Sequence, residues 1–377
     1  MSRGISLTDE SPSRAAVFEG TRGQLTLLSV PRPAPGSGEL LVDVLGCTLC
    51  GSDLHTIEGR RRVATPTVLG HEIVGRIAAF GDPDLPWLDL GGETLAIGDR
   101  IVWAIVASCG ACPACHRGLP QKCQRGVKYG HEQAVDRRVL TGGLADACLL
   151  AGGTSIVKLP AGMPLEVACP AGCATATVAA AVEPAGKLAG RTVAVFGLGL
   201  LGLTACAMVQ TQGAANVIAI DPSPARRARA TAFGATAVLE PGGLDSHDLA
   251  ERLDLAIEVS GSPAAVSEAI AHATVGGGIH LVGSVAPAGS VAIDPERVVR
   301  RLLTIRGIHN YAPRHLLAAV RFLDAQRDAF PFLTLVDRWY SLDASAEAFA
   351  EAIRSQAVRV GVRPERPLEI LPGARSS

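Results

Sequence analysis

The sequence predicts an α/β protein with two domains, a β-rich first domain and a second domain built on a doubly wound parallel sheet. Up to about residue 174, short apolar runs such as Ile73–Phe80 are broken by Gly, Pro and Asp, a texture typical of strands joined by long loops. From Arg191 onward, predicted strands alternate with helical patterns, and this alternation indicates parallel strands connected by crossover helices.

The elements of the second domain follow in order along the chain. A helix over Pro224–Phe233 is followed by Gly234, a residue that commonly ends helices. Further helices are predicted over Arg314–Asp324 and Ser345–Arg354, and the two chain ends, Met1–Pro12 and Arg363–Ser377, are expected to be loosely held. The predicted strands are Val193–Phe196, Val217–Ile220, Ala237–Leu239, Leu255–Val259, Ile279–Val282 and Leu303–Ile305. We therefore assign residues 1–174 to the first domain, residues 175–310 to the second, and residues 311–377 to a segment that completes the first.

Composition excludes several classes of protein. Hydrophobic residues make up 48% of the 377 residues, too many for a disordered chain. The net charge of -1 gives no basic excess for nucleic acid or an anionic membrane, and glycines interrupt the uncharged stretch from Thr192 to Ile220. Met1–Arg14 lacks the apolar core of a signal peptide, so we expect a cytoplasmic protein. Ten cysteines in a reducing compartment point first to metal binding.

A glycine-rich loop follows the first predicted strand of the second domain. Gly197 permits a tight turn, Gly199 lets the backbone approach a pyrophosphate, and Gly202 allows close packing of helix on strand. Leu200 and Leu201 lie between these glycines, where the helix begins and its N–H groups can bind an anion. The pattern predicts a dinucleotide-binding Rossmann domain.

The end of the next strand indicates which dinucleotide is bound. Asp221 lies 19 residues after Gly202, where a carboxylate can accept hydrogen bonds from the ribose hydroxyls. NAD is therefore favoured over NADP, whose 2′-phosphate would face a negative charge. Arg226 follows closely and could soften that preference, although a solvated arginine on a helix is the more ordinary interpretation.

Two sets of metal-binding side chains lie in the first domain. One set is a lobe at about residues 105–125, where four cysteines can fill all four positions of a structural zinc: Cys109, Cys112, Cys115 and Cys123. Cys50 and His71 supply two donors of a second set, and a catalytic zinc needs about three protein ligands and an open position. We expect about two zinc ions per chain.

In their order along the chain, these motifs resemble the zinc-dependent medium-chain dehydrogenases, the alcohol and polyol dehydrogenase superfamily. The resemblance runs from about Arg14 to about Arg359, and it implies a GroES-like catalytic domain before the Rossmann domain. It also implies a third zinc ligand about two dozen residues before the glycine loop. Cys173, 24 residues before Gly197, fits that position better than Cys169. Glu72 resembles a carboxylate that approaches zinc in some relatives, and its alternative role is to support the neighbouring ligand.

The resemblance also implies roles for four residues near the zinc ligands. Ser52 matches the hydroxyl that bonds the substrate oxygen and relays its proton, and His55 matches the outlet of that relay. Asp53 matches the acid that orients the zinc-bound imidazole. Thr177 matches a residue that packs beside the nicotinamide. A bound zinc would act as a Lewis acid during hydride transfer between an alcohol and the cofactor.

The substrate is expected to be a small polar molecule. Arg60, Arg61 and Arg62 lie where relatives line the substrate cleft and could bind a phosphate or phosphonate, although a solvated loop is the more ordinary interpretation. The strings around Cys50 and Cys123 resemble a branch associated with phosphonate metabolism and with reductases of carbasugar cyclitols. Reduction of an enone C=C bond and a catalytically silent nucleotide-binding protein are the alternative functions. The resemblance further implies a homodimer or homotetramer.

Overall fold

Strands dominate the first part of the chain, and they bring distant loops to one edge of a sheet. The structure is a computed structural model that describes residues 12–245, 252–286, 288–355 and 357–364. Strands β1 to β10 are Ser13–Phe18, Thr26–Val30, Leu40–Thr48, Thr67–Val68, Glu72–Phe80, Arg100–Trp103, Val106–Ala107, Val127–Lys128, Ala147–Leu150 and Ile156–Lys158. The long antiparallel pair β3–β5 is the centre of the main sheet, with Thr48 opposite Glu72.

The second domain is a six-stranded sheet, parallel throughout, in the order β13-β12-β11-β14-β15-β16. Its strands β11 to β16 are Thr192–Phe196, Asn216–Ile220, Ala237–Leu239, Leu253–Glu258, Ala273–Leu281 and Thr304–Gly307. Helices α5 to α8, on the chain between them, are Leu200–Thr211, Pro224–Ala230, Pro263–His272 and Pro295–Arg300. The doubly wound parallel sheet predicted from the sequence is confirmed, and its order reverses next to β11, where such sheets bind nucleotides.

The predicted helix from Pro224 ends earlier than expected. Helix α6 closes at Ala230, and Thr231–Phe233 form a tighter 3₁₀ turn before Gly234. Gly234 adopts a left-handed conformation with φ 88°, as expected for a residue that ends a helix.

The C-terminal segment returns to the first domain. Strands β17 (Arg338–Ser341) and β18 (Val360–Arg363) pair in parallel, and β18 joins β3 of the main sheet. The expectation that Arg363 is loosely held is wrong, because it pairs with Ser341 and its guanidinium lies 2.7 Å from Glu166. Residues 1–11 and 365–377 lie outside the described residues. The remaining helices are α1 Gly51–Ile57, α2 Pro113–His116, α3 Leu165–Ala168, α4 Ala174–Val182, α9 Pro313–Gln326 and α10 Ser345–Ser355.

Helix α4 ties the two domains together. All nine of its residues are buried, and the apolar cluster around it includes Val74 and Val102 of the first domain and Val193 and Val195 of the second. Burial of so much apolar surface fixes the start of α4 relative to both sheets.

Candidate active site

Three metal-binding side chains from distant parts of the chain converge at the end of the β3–β5 pair. Cys50 follows β3, His71 precedes β5, and Cys173 precedes α4. Their ligand atoms all lie within 4.8 Å of one another. Cys169 is instead a fully buried core residue outside this group. The structure thus brings together Cys173 rather than Cys169 with the other two residues.

Asp53 holds this cluster in place from within α1. Its side chain is fully buried and accepts three hydrogen bonds: from the Cys50 backbone at 3.0 Å, from the Gly70 backbone at 3.3 Å and from His71 Nδ1 at 3.2 Å. Because Nδ1 is engaged, the Nε2 atom of His71 is left to face the cysteines, as a zinc ligand requires. Ser52 Oγ lies 3.5 Å from the same Nε2 atom.

The electrostatics of the cluster favour a thiolate at Cys50 and a positive charge on His71. Burial opposes a charge on His71, but Asp53 and Cys50 together raise its pKa to about 10. A hydrogen bond from Cys173 and the positive charges of Arg359 and His71 lower the pKa of Cys50 well below its ordinary value. The site therefore stabilises a thiolate beside an imidazolium, and a bound zinc ion would replace the imidazole proton. Two sulfurs and one imidazole nitrogen fit a zinc ion with one open position.

Glu72 faces Arg359, a partner that was not predicted from the sequence. Its carboxylate is fully buried and accepts from Arg359 Nε at 2.9 Å, from Arg359 Nη2 at 3.0 Å and from the Thr48 hydroxyl at 2.6 Å. Arg359 Nη2 also lies 3.7 Å from Cys50 Sγ. Glu72 is thus held beside the metal-binding group rather than within it. A lone arginine between Val358 and Val360 in an apolar strand region was the sequence signal for this partner.

The four cysteines of the lobe also lie together. The sulfurs of Cys112 and Cys115 are 3.5 Å apart, and those of Cys112 and Cys123 are 3.9 Å apart. Cys109 belongs to the same group, with all four sulfurs within 4.8 Å of one another. Zinc–sulfur bonds of about 2.3 Å in a tetrahedron would place sulfurs about 3.8 Å apart. The donor set and its spacing fit a zinc ion with no open position.

The glycine loop has the shape that a dinucleotide requires. Gly197 has φ 96°, and a side chain there would meet Ser260 at 2.9 Å. A side chain at Gly202 would meet the Gly197 carbonyl at 1.8 Å, whereas one at Gly199 would meet nothing within 4 Å. The loop is therefore closed on its protein side and open above Gly199, where Leu200 and Leu201 begin α5.

Asp221 directly follows β12 and lies beside this loop. Its side chain is buried and accepts from the Leu198 backbone at 2.7 Å and from the Ser223 backbone at 2.8 Å. The Arg226 guanidinium lies 3.9 Å from Asp221 Oδ2 and is partly exposed. The carboxylate is thus fixed by the backbone, with a positive charge at its edge.

The other predicted residues occupy distinct surroundings. Thr177 is buried one turn into α4, and its backbone bonds the Cys173 carbonyl. His55 Nδ1 accepts a hydrogen bond of 2.9 Å from Arg60, which also pairs with Glu58. Arg61 is half-buried and Arg62 is exposed. Of the three predicted arginines, Arg60 is therefore already engaged by the protein.

Fold and site define a two-domain dehydrogenase with a nucleotide loop and two sets of zinc-type ligands. The family model of the alcohol dehydrogenase GroES-like domain matches residues 36–161, and the model of the zinc-binding dehydrogenase family matches residues 201–325. The chain belongs to the zinc-binding alcohol dehydrogenase superfamily and is a zinc-dependent NAD(P) alcohol dehydrogenase-type enzyme.

Curated relatives and solved structures are similar over nearly the whole chain. A geraniol dehydrogenase of Castellaniella defragrans is 31% identical over 92% of this chain and 96% of its own. An L-threonine 3-dehydrogenase of Streptomyces coelicolor is 31% identical over 92% and 98%. An alcohol dehydrogenase structure from Thermotoga maritima has a TM-score of 0.86 at 27% identity, over 94% of this chain and 99% of that one. A candidate zinc-binding dehydrogenase from Sinorhizobium meliloti, bound to NADP, has a TM-score of 0.81 at 26% identity, over 94% and 100%.

Among the described residues, no single helix is long and apolar enough to cross a membrane. Two helical segments joined by a bend, Leu165–Gly172 and Ala174–Ala185, together have the length and composition of a membrane span.

Proposed function

We propose that the chain catalyses hydride transfer between a nicotinamide cofactor and a small polar alcohol or ketone at a zinc ion held by Cys50, His71 and Cys173. The observation that carries this proposal is a set of three zinc-type donors that has no fourth protein donor among the described residues. An open position is what distinguishes a catalytic zinc from a structural one. The lobe cysteines would hold the second zinc, which gives about two zinc ions per chain.

The protein residues around the open position have separate roles in this mechanism. When bound, zinc supplies Lewis-acid polarisation of the substrate oxygen. Ser52 lies 3.5 Å from His71 Nε2 and is placed to take the hydroxyl proton from the substrate. His55 passes that proton to solvent. Thr177 is buried one turn after Cys173 and would pack beside a bound nicotinamide.

The proposed substrate is a polyol, a cyclitol, or an alcohol carrying a phosphate or phosphonate group. The printed names of the relatives span a terpene alcohol and an amino acid, so membership of the superfamily leaves the substrate open. The positive charge of Arg61 near the proposed zinc ligands supports a polar or anionic substrate.

We propose NAD as the preferred cofactor. Asp221 is buried and held by two backbone N–H groups, so it cannot swing away from a 2′-phosphate. Arg226 lies 3.9 Å from this carboxylate and partly balances its charge. The proposal is therefore a preference for NAD rather than an exclusion of NADP.

We also propose that the protein is a cytoplasmic homodimer or homotetramer. Strand β16 is the last strand of its sheet and pairs only with β15 in the described part of the chain. Exposed apolar side chains surround it, including Val275 at 61%, Val299 at 70% and Leu302 at 70% exposure. An uncovered strand edge with apolar neighbours fits a second copy of the chain. Light scattering during size-exclusion chromatography would reveal a monomer if this is wrong.

A substrate screen at the nicotinamide absorbance tests the proposed function. Zinc-loaded protein would be mixed with NAD or NADP and with cyclitols, polyols and small phosphonate alcohols, and the reverse reaction would be tested with ketones and cyclic enones. Alcohol-dependent reduction of the cofactor supports the proposal. Reduction of the enone C=C bond alone would favour the alternative reductase, and absence of all turnover would favour a catalytically silent nucleotide-binding protein.

A further inference from the structure

Five basic side chains gather beside the proposed catalytic zinc ligands. The basic cluster comprises Arg61, Lys122, Lys128, His131 and His309. The His131 ring centroid lies 5.0 Å from that of His71, and Lys122 Nζ donates to His309 Nδ1. These residues come from the loop after α1, the cysteine lobe, the region of β8 and the segment after β16. The topology of the chain, rather than sequence proximity, therefore concentrates positive charge at this place.

Acidic side chains do not neutralise the basic cluster. In the described part of the chain, no carboxylate lies within the 4.0 Å ion-pair distance of Arg61, Lys122 or Lys128. Glu58 pairs with a different arginine, and Glu132 accepts from the backbone N–H of Lys128 rather than from its ammonium. Among the described residues, these three cations thus have no carboxylate at ion-pair distance.

The surroundings of His131 and His309 also indicate an excess of positive charge. Loss of hydration and the positive charges of Lys122, Lys128 and Arg61 lower the pKa of His309 to about 4. The Nδ1 atom of His131 is buried and, among the described residues, has no hydrogen-bond partner. A buried polar atom without a partner costs free energy. An anion with several oxygen atoms balances the crowded cations, and it also accepts a hydrogen bond from His131 in the tautomer that carries the hydrogen on Nδ1.

We propose that the basic cluster binds a dianionic phosphoryl group carried by the substrate, a phosphate ester or a phosphonate. This inference rests on the proposed function, because the cluster would anchor the charged end of an alcohol whose reacting end faces Cys50, His71 and Cys173. Arginine and lysine both bind phosphoryl oxygens by charge-assisted hydrogen bonds. A dianion balances the cluster better than a carboxylate, which carries only one charge. The pyrophosphate of the cofactor has its own place at the glycine loop of the other domain.

Binding of inorganic phosphate tests the proposal without turnover. Titration calorimetry would be performed on the zinc-loaded full-length protein with saturating NAD, which occupies the glycine loop. Lys128→Gln removes one charge of the cluster, and Arg61→Gln is a second variant that does not depend on the first folding normally. Lys187→Gln is the matched control, because Lys187 is exposed and lies outside the cluster.

Kinetic measurements then show whether the cluster recognises a phosphoryl group carried by a substrate as well as free phosphate. The ratio of kcat/KM for glycerol 3-phosphate to that for glycerol should fall about tenfold or more in Lys128→Gln and Arg61→Gln, in parallel with weaker phosphate binding, and should be unchanged in Lys187→Gln. Absence of phosphate binding to the wild-type protein would overturn the proposal, as would equal affinities in Lys128→Gln and Lys187→Gln. Lysine-dependent phosphate binding without turnover of any alcohol would instead overturn the proposed function and leave the anion site standing.

Discussion

Asp53 offers the sharpest test of how the protein positions its proposed catalytic zinc ligands. Its buried carboxylate accepts from Cys50 N, Gly70 N and His71 Nδ1. Asp53→Asn keeps the shape of the side chain but replaces one acceptor oxygen with a donor NH₂. Whichever way the amide turns, it faces either the Cys50 N–H or the Gly70 and His71 donors, so at least one buried donor loses its partner.

The expected magnitude follows from the hydrogen bonds that are lost. A hydrogen bond to a charged group contributes about 1.5–3 kcal/mol, which corresponds to a factor of about 10 to 150 in affinity. Residues that orient a zinc ligand typically change metal affinity by about 10- to 100-fold. Asp53→Asn should therefore weaken one zinc by about one to two orders of magnitude, while the lobe zinc, which Asp53 does not contact, is retained.

Competition with a chelator, followed by elemental analysis, measures both zinc ions in one experiment. The matched control is Asp343→Asn, because Asp343 pairs with Arg14 at a side-chain exposure of 53% and such surface pairs contribute little. Asp53→Asn should release one zinc per chain at a chelator concentration that leaves the control with two. Equal zinc retention in both variants would refute the positioning role.

Three further predictions concern the buried ion pair, the cofactor and an exposed acid. Arg359→Met leaves Glu72 buried without its partner and should lower the free energy of unfolding by about 3–5 kcal/mol in a urea titration, with part of the loss recovered by adding Glu72→Gln. Asp221→Ser should lower the Kd for NADP relative to the Kd for NAD by about tenfold. An unchanged ratio of the two Kd values in fluorescence titrations would refute the assigned role. A hydrogen bond from Arg314 lowers the pKa of Glu183 from 4.5 to about 2, so its stabilisation is complete above pH 4.5 and is lost as the pH falls toward 2. The difference in urea midpoint between wild type and Glu183→Gln should therefore shrink from pH 6 to pH 3, and a constant difference would contradict this pKa.

Local sequence patterns were enough to predict the parts of the site that lie on single segments. Gly197, Gly199 and Gly202 follow one strand, and the lobe cysteines lie within one short loop, so their spacing alone indicates their geometry. Cys173 was predicted from the family resemblance, which implies a third ligand about two dozen residues before Gly197.

Contacts between distant segments could not be predicted in the same way. Arg359 reaches Glu72 only because β18 pairs with β3, and a separation of 287 residues leaves no local pattern that links them. The basic cluster has the same origin, since His309 follows β16 of the second domain while Lys128 ends β8 of the first. Such pairs depend on how the strands are ordered in space, which apolar periodicity along the chain does not specify.

The most direct test of the central claim is zinc content and turnover of Cys50→Ser, measured on the same preparation. We expect two zinc ions per chain in the wild type and one in the variant, with an unchanged circular dichroism spectrum and no alcohol-dependent reduction of NAD. Turnover retained in Cys50→Ser, or a wild-type protein that holds a single zinc, would contradict the assignment of Cys50, His71 and Cys173 as the catalytic metal site.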